Sequence, residues 1–127
     1  MTPLTSSETK KRRPARRGDA IETDLCVIGA GPGGLSVAAG AVQMGASVVL
    51  VEKGKMGGDC LNTGCVPSKA LIAAAAAVHN IHRSPVFGMQ GAAVEVDFQR
   101  VHGHVHGVIA AIAPHDSEER FEALAVC

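Results

Sequence analysis

The strongest constraint in this chain is a glycine turn set between two apolar runs. Leu25-Cys26-Val27-Ile28 is short, apolar and partly β-branched, and Gly29-Ala30-Gly31-Pro32-Gly33-Gly34 follows at once. Leu35 to Met44 carries no charge and is rich in Ala, Val and Leu; Gly45 then stands where a helix C-cap glycine would. Ser47-Val48-Val49-Leu50-Val51 is a second apolar run, closed by Glu52. Both strands are almost wholly apolar, as buried parallel strands are. Strand, turn, helix and parallel strand make one right-handed βαβ unit. Within it Gly29 permits the tight turn, Gly31 lets backbone approach a pyrophosphate, and Gly34 lets the helix lie near the strand. The helix N-terminus turns N–H groups and a partial positive charge toward phosphates. Glu52 stands eighteen positions after Gly34, placed to accept hydrogen bonds from a ribose hydroxyl. The unit predicts a dinucleotide site without choosing between FAD and NAD.

The next segment holds Cys60 and Cys65 in Gly57-Gly58-Asp59-Cys60-Leu61-Asn62-Thr63-Gly64-Cys65-Val66-Pro67-Ser68-Lys69. Five residues of regular α-helix rise about 7.5 Å and turn the two side chains to different faces. A disulfide needs Cα atoms about 4.4–6.8 Å apart, so a bridged pair requires a distorted stretch between them. Asn62 and Gly64 tolerate such a bend. A helix can then run from about Val66 through Ala70–Val78, with Pro67 in its first turn. That puts Cys65 near a helix N-terminus, where a thiolate is stabilised. Three readings compete for the pair. A structural disulfide would close too small a loop to constrain the unfolded chain much. A zinc site would need further ligands, and no matching second pair follows. A redox-active dithiol fits best. Cys26 reads as an inert core residue of the first strand, and Cys127 has no readable role.

The run 57–69 closely resembles the redox segment of the class I pyridine nucleotide–disulfide oxidoreductases, the flavoenzymes of the dihydrolipoyl dehydrogenase and mercuric reductase type. The glycine motif and Glu52 match that family's N-terminal FAD unit, and the resemblance covers about residues 24–125. It is specific at 57–69 and diffuse after 83. Asp59 departs from the pattern, since many members carry Thr there; Asp leans toward mercuric-reductase-like members. The resemblance implies FAD as cofactor, with Gly29, Gly31, Gly34 and Glu52 binding its ADP half. It makes Cys60 the interchange thiol that attacks substrate, Cys65 the thiol next to the flavin, and Lys69 a residue near the isoalloxazine ring that helps tune it. The implied reaction passes electrons from NAD(P)H through FAD to a Cys60–Cys65 disulfide, then to a small-molecule disulfide or Hg(II). It also implies a homodimeric parent, whose dimer domain supplies a His–Glu acid–base pair. The rival reading is a non-catalytic nucleotide- or zinc-binding fragment.

Composition narrows the class further. The 127 residues hold twelve basic and twelve acidic side chains, a net charge of zero that argues against a dedicated nucleic-acid binder. The charge is uneven: residues 1–20 carry six Lys and Arg against Glu8 and Asp19, so this tail is +4 and the remainder −4. Nearly devoid of large apolar side chains, 1–20 reads as a disordered basic tail. Its paired arginines lack the apolar stretch that an export signal needs, because an acidic segment follows. The longest apolar run, Ala70–Val78, has nine residues. Crossing a bilayer takes about 20, so no membrane-spanning helix is expected. Four cysteines without a signal peptide point to a reducing, cytoplasmic setting. Beyond the cysteine helix, residues 82–88 read as a loop and Val94–Asp97 as a brief extended stretch. Val96 through Ala113 reads as a helix ended by Pro114. Asp116-Ser117-Glu118-Glu119 reads as a capping box opening a helix to about Leu124. His102 and His106 share a helix face and His104 points away. No carboxylate or cysteine pattern supports them, so no metal site is expected. The expected fold is α/β: a Rossmann-like FAD-binding βαβ unit followed by helices, within an incomplete doubly wound parallel sheet. Residues 21–127 are thus expected to be the truncated N-terminal part of an FAD-binding domain. A second glycine motif for NAD(P)H is not found.

Overall fold

The computed structural model describes residues 12–90 and 93–127. Two compact units emerge, one from residues up to 58 together with 115–127, the other from 59–114.

In the first unit, strands β1 (Ala15–Arg17) and β2 (Ala20–Glu22) pair antiparallel, with Arg16 opposite Ile21. Residues 15–20 were expected to be disordered. Instead, a two-residue loop with Gly18 at φ +61° closes a hairpin, a geometry glycine adopts without a Cβ penalty. Every residue of both strands is exposed, and ion pairs Arg17–Glu22 (3.1 Å) and Arg12–Asp24 (3.2 Å) lie along it. The part of the expected tail at 1–11 lies outside the described residues.

Strand β3 (Leu25–Ile28), helix α1 (Pro32–Gln43) and strand β4 (Val48–Val51) form the expected βαβ unit. The strands pair parallel, Leu25 with Val48 through Ile28 with Val51. Helix α1 starts three residues earlier than the sequence suggested, because Pro32 is pre-set for the first turn. It ends as expected. Gly45, at φ +91°, donates to the Val42 carbonyl, and Ala46 donates to the Ala41 carbonyl, the paired bonds of a Schellman motif. The start of both strands is tied by Asp24 and Ser47. The Ser47 N–H and Oγ–H both donate to Asp24 Oδ2 (2.8 and 2.7 Å), and the Asp24 N–H donates to Ser47 Oγ (2.9 Å).

The core of this unit is Ala30, Leu35, Ala38, Val42 and Val48 together with Phe121, Ala125 and Val126. The last three come from helix α5 (Glu118–Ala123) and the residues after it. Ser117 is the N-cap of α5, its Oγ accepting from the Arg120 N–H. Position N3 is therefore Arg120, and the Glu119 carboxylate, one position earlier than a capping box needs, accepts from the Ser117 side chain instead. Val126 pairs parallel with Val48: Cys127 N–H donates to the Val48 carbonyl (3.1 Å) and Leu50 N–H to the Cys127 carbonyl (2.7 Å). Leu25, Val27 and Leu50 pack on this core, whereas Cys26 and Ile28 are exposed, Ile28 at 86%. Cys26 is thus not a core residue; alternation along β3 turns it to the opposite face.

The second unit is helical. Helix α2 (Gly58–Asn62) leads into it, and helix α3 (Cys65–Arg83) packs against α4 (Phe98–Ile112). Helix α3 continues through His79-Asn80-Ile81-His82-Arg83, and a 3₁₀ turn (Ser84–Phe87) replaces the expected loop. Residues 94–97 form no strand. Asp97 caps α4, its Oδ1 accepting from the N–H groups of Gln99 (3.0 Å) and Arg100 (3.2 Å). A 3₁₀ turn, Ala113–Asp116, follows it. Among the described residues, segment 58–87 is long and apolar enough to cross a membrane by length and composition alone, its most apolar 18-residue stretch having mean hydropathy 1.3. The nine-residue count missed this because the flanking turns are helical too. Alanine dominates the segment, which is interrupted at Thr63–Gly64 and carries Lys69.

Candidate dinucleotide and dithiol sites

The glycine turn is built as the motif requires. Gly29 sits at φ +104°, a left-handed conformation that L side chains rarely adopt. A Cβ at Gly34 would run into the Gly29 carbonyl oxygen and lie 3.2 Å from Val27 Cγ1, so α1 can rest on β3 only without one. Gly31 is different: a Cβ there would meet nothing within 4 Å. Its small size is not needed for packing, and the space beside it is open. No side chain caps α1 at Gly31. An open, uncapped helix start beside backbone glycine fits a pyrophosphate.

Glu52 braces this turn. Its Oε2 accepts from the Ala30 N–H (2.6 Å) and its Oε1 from the Gly54 N–H (2.7 Å). These two bonds, the Ala30 one foremost, hold its carboxyl below the usual range. Sequence reasoning placed Glu52 for a ribose but missed these partners, since a hydrogen bond to a residue 22 positions away leaves no local pattern. The Ala30 carbonyl in turn accepts from the Gly57 N–H (2.9 Å). Gly57 (φ +82°) and Gly58 (φ +56°) carry the chain past the turn so closely that a Cβ on Gly58 would lie 2.9 Å from Gly31 Cα.

In the second unit the chain bends where Gly64 was expected to allow it. The N–H groups of Thr63 (2.9 Å) and Gly64 (2.6 Å) both donate to the Asp59 carbonyl, closing α2. A Cβ on Gly64 would sit 3.0 Å from that oxygen. Helix α3 then begins at Cys65, with Gly64 as its N-cap. The break brings the two sulfurs together as free thiols: Cys60, half-buried, hydrogen-bonds Cys65, which is exposed. That hydrogen bond, with burial and the charge on Cys65, pushes the Cys60 thiol up, against a smaller opposing pull from Lys69. Cys60, Cys65 and Lys69 therefore form one electrostatic group. Cys26 and Cys127 are free and exposed.

The chain thus carries a glycine turn open to phosphate in its first unit and a close dithiol at a helix start in its second. The chain belongs to the pyridine nucleotide-disulphide oxidoreductase family, whose model matches residues 23–122. FAD and NAD(P)H are the cofactors of that family. The chain is 49% identical over 82 residues to dihydrolipoyl dehydrogenase of Geobacillus stearothermophilus, a match covering 65% of this chain. Against dihydrolipoyl dehydrogenase of Bacillus subtilis it is 52% identical over 81 residues, or 64% of this chain. In both cases the match spans 17% of the relative's length.

Proposed function

We propose that this chain is the FAD-binding and redox-dithiol segment of a flavin-dependent NAD(P)H:disulfide oxidoreductase of the dihydrolipoyl dehydrogenase type. The reading rests chiefly on the Cys60–Cys65 dithiol, whose sulfurs meet only because the helix breaks at Gly64. Gly29, Gly31, Gly34 and Glu52 hold the ADP half of the dinucleotide. The open space at Gly31 and the uncapped start of α1 receive the pyrophosphate. The carboxylate of Glu52 has lone pairs beyond the two it lends to Ala30 and Gly54, and these accept from ribose hydroxyls. FAD, when bound, supplies a two-electron relay between NAD(P)H and the cysteine pair.

The chain's own chemistry is thiol–disulfide exchange. Cys60, once deprotonated, attacks one sulfur of a substrate disulfide and expels the first substrate thiolate, leaving a mixed disulfide. Cys65 as thiolate then attacks the Cys60 sulfur and expels the second. Two electrons have passed to the substrate, and Cys60–Cys65 is a disulfide. A thiol held above its ordinary range is a poor nucleophile at neutral pH, so Cys60 needs a base. The His–Glu pair that the family resemblance assigns to a dimer domain fills that role in a homodimeric parent. Lys69 contributes positive charge beside the pair, opposing the rise at Cys60. In this reading the protein works in the reducing cytoplasm within a doubly wound sheet, apart from membrane and nucleic acid. Asp59 favours Hg(II) as a second acceptor.

The test is an FAD titration of the purified chain by absorption and flavin fluorescence, with metal analysis of the same sample. Saturable flavin binding that Gly31→Ala weakens supports the reading. Stoichiometric zinc on Cys60 and Cys65 with no flavin would overturn it.

A further inference from the structure

Helix α4 brings two imidazoles to one point. His102 and His106 are one turn apart, both exposed, with ring centroids 4.4 Å apart and planes inclined at 65°. Their Nε2 atoms are 3.1 Å apart, one ring donating and the other accepting. That separation has a second meaning. Two nitrogens bound at about 2.05 Å to one ion stand about 2.9 Å apart at a right angle and about 3.3 Å apart at the tetrahedral angle. The two nitrogens are thus already at chelating separation, and the donating ring frees its Nε2 lone pair when its proton shifts to Nδ1. His102 also borders a surface recess with Phe98, Gln99 and Gly103. A Cβ on Gly103 or Gly107 would meet nothing within 4 Å, so the approach beside the pair is open.

We propose that His102 and His106 form a two-imidazole chelate for a borderline divalent transition ion of the Ni²⁺, Cu²⁺ or Zn²⁺ class, with the other coordination positions open to water. Imidazole suits these ions. No third His, Cys, Asp or Glu joins the pair among the described residues, so the site is a surface chelate rather than a closed structural centre. A bound ion links two successive turns of α4 and stabilises the folded chain by mass action. The site is independent of the flavin and dithiol reading.

The probe is Ni²⁺, titrated calorimetrically into the untagged full chain with all four cysteines alkylated, so that thiols do not compete. One equivalent is expected to bind. His102→Ala and His106→Ala should each weaken it at least about tenfold, the double variant little more than either, and His104→Ala not at all. Ni²⁺ should raise the thermal midpoint of the parent and of His104→Ala, but not of the double variant. An isotherm insensitive to both His102→Ala and His106→Ala, or equally weakened by His104→Ala, overturns the proposal.

Discussion

Single residues separate what the glycines do for the fold from what they do for a ligand. Gly34→Ala places a methyl group against the Gly29 carbonyl and is expected to cost about 1–3 kcal/mol or more, read by chemical denaturation. Gly31→Ala should leave stability nearly unchanged yet weaken FAD binding in the same titration, since its Cβ fills only open space. Glu52→Gln replaces one acceptor oxygen with a donor group facing a backbone N–H, so it should both lower stability and weaken flavin binding. Cys60 offers a chemical readout. Because contact with Cys65 raises its pKa, Cys65→Ala should speed alkylation of Cys60 at a fixed neutral pH, followed by mass spectrometry. Residue spacing made Gly29, Gly31, Gly34, the bend at Gly64 and the face shared by His102 and His106 legible in advance. Cys26 was misread because an apolar strand looks the same whether one face or both are covered. The bonds from Glu52 were invisible because they join residues far apart in sequence.

Elements hold together through two long-range ties. The Asp24–Ser47 cluster fixes where β3 and β4 begin, and its bonds from Ser47 hold the Asp24 carboxyl below its ordinary value. Glu52 is lowered likewise by Ala30 and Gly54. A carboxyl whose folded pKa lies below its unfolded value lends stability that is complete above the unfolded value and is lost as pH falls through the folded one. Thermal midpoints should therefore drop as pH falls below about the ordinary values of 3.8 and 4.5, and Asp24→Asn should flatten that slope. The second tie is Phe121, only 3% exposed, which carries α5 into the β3–α1–β4 core. Phe121→Ala is expected to cost about 3–5 kcal/mol in urea denaturation, as much as a change inside the βαβ unit. The helices themselves were readable from caps and apolar runs. The docking of α5 was not, because nothing local distinguishes a helix face that meets a strand 70 residues earlier from one that meets solvent.

At the scale of the whole chain, the described residues contain one glycine-turn nucleotide unit, which is expected to hold one dinucleotide. These 127 residues alone are expected to bind FAD weakly and to give no steady NAD(P)H oxidation with lipoamide, oxidised glutathione or Hg(II). Turnover that vanishes in Cys60→Ser would contradict this. The apolar residues Ile28 and Val51 on the uncovered sheet face also favour self-association, measurable by light scattering. Pairing at the far edge of β4 has its own consequence. The Leu50 amide is bonded to Cys127, whereas the register between β3 and β4 is set by other partners. In a hydrogen–deuterium exchange experiment, neighbouring amides of this one strand would therefore keep separate clocks: removal of Val126 and Cys127 should quicken deuterium uptake at Leu50 first.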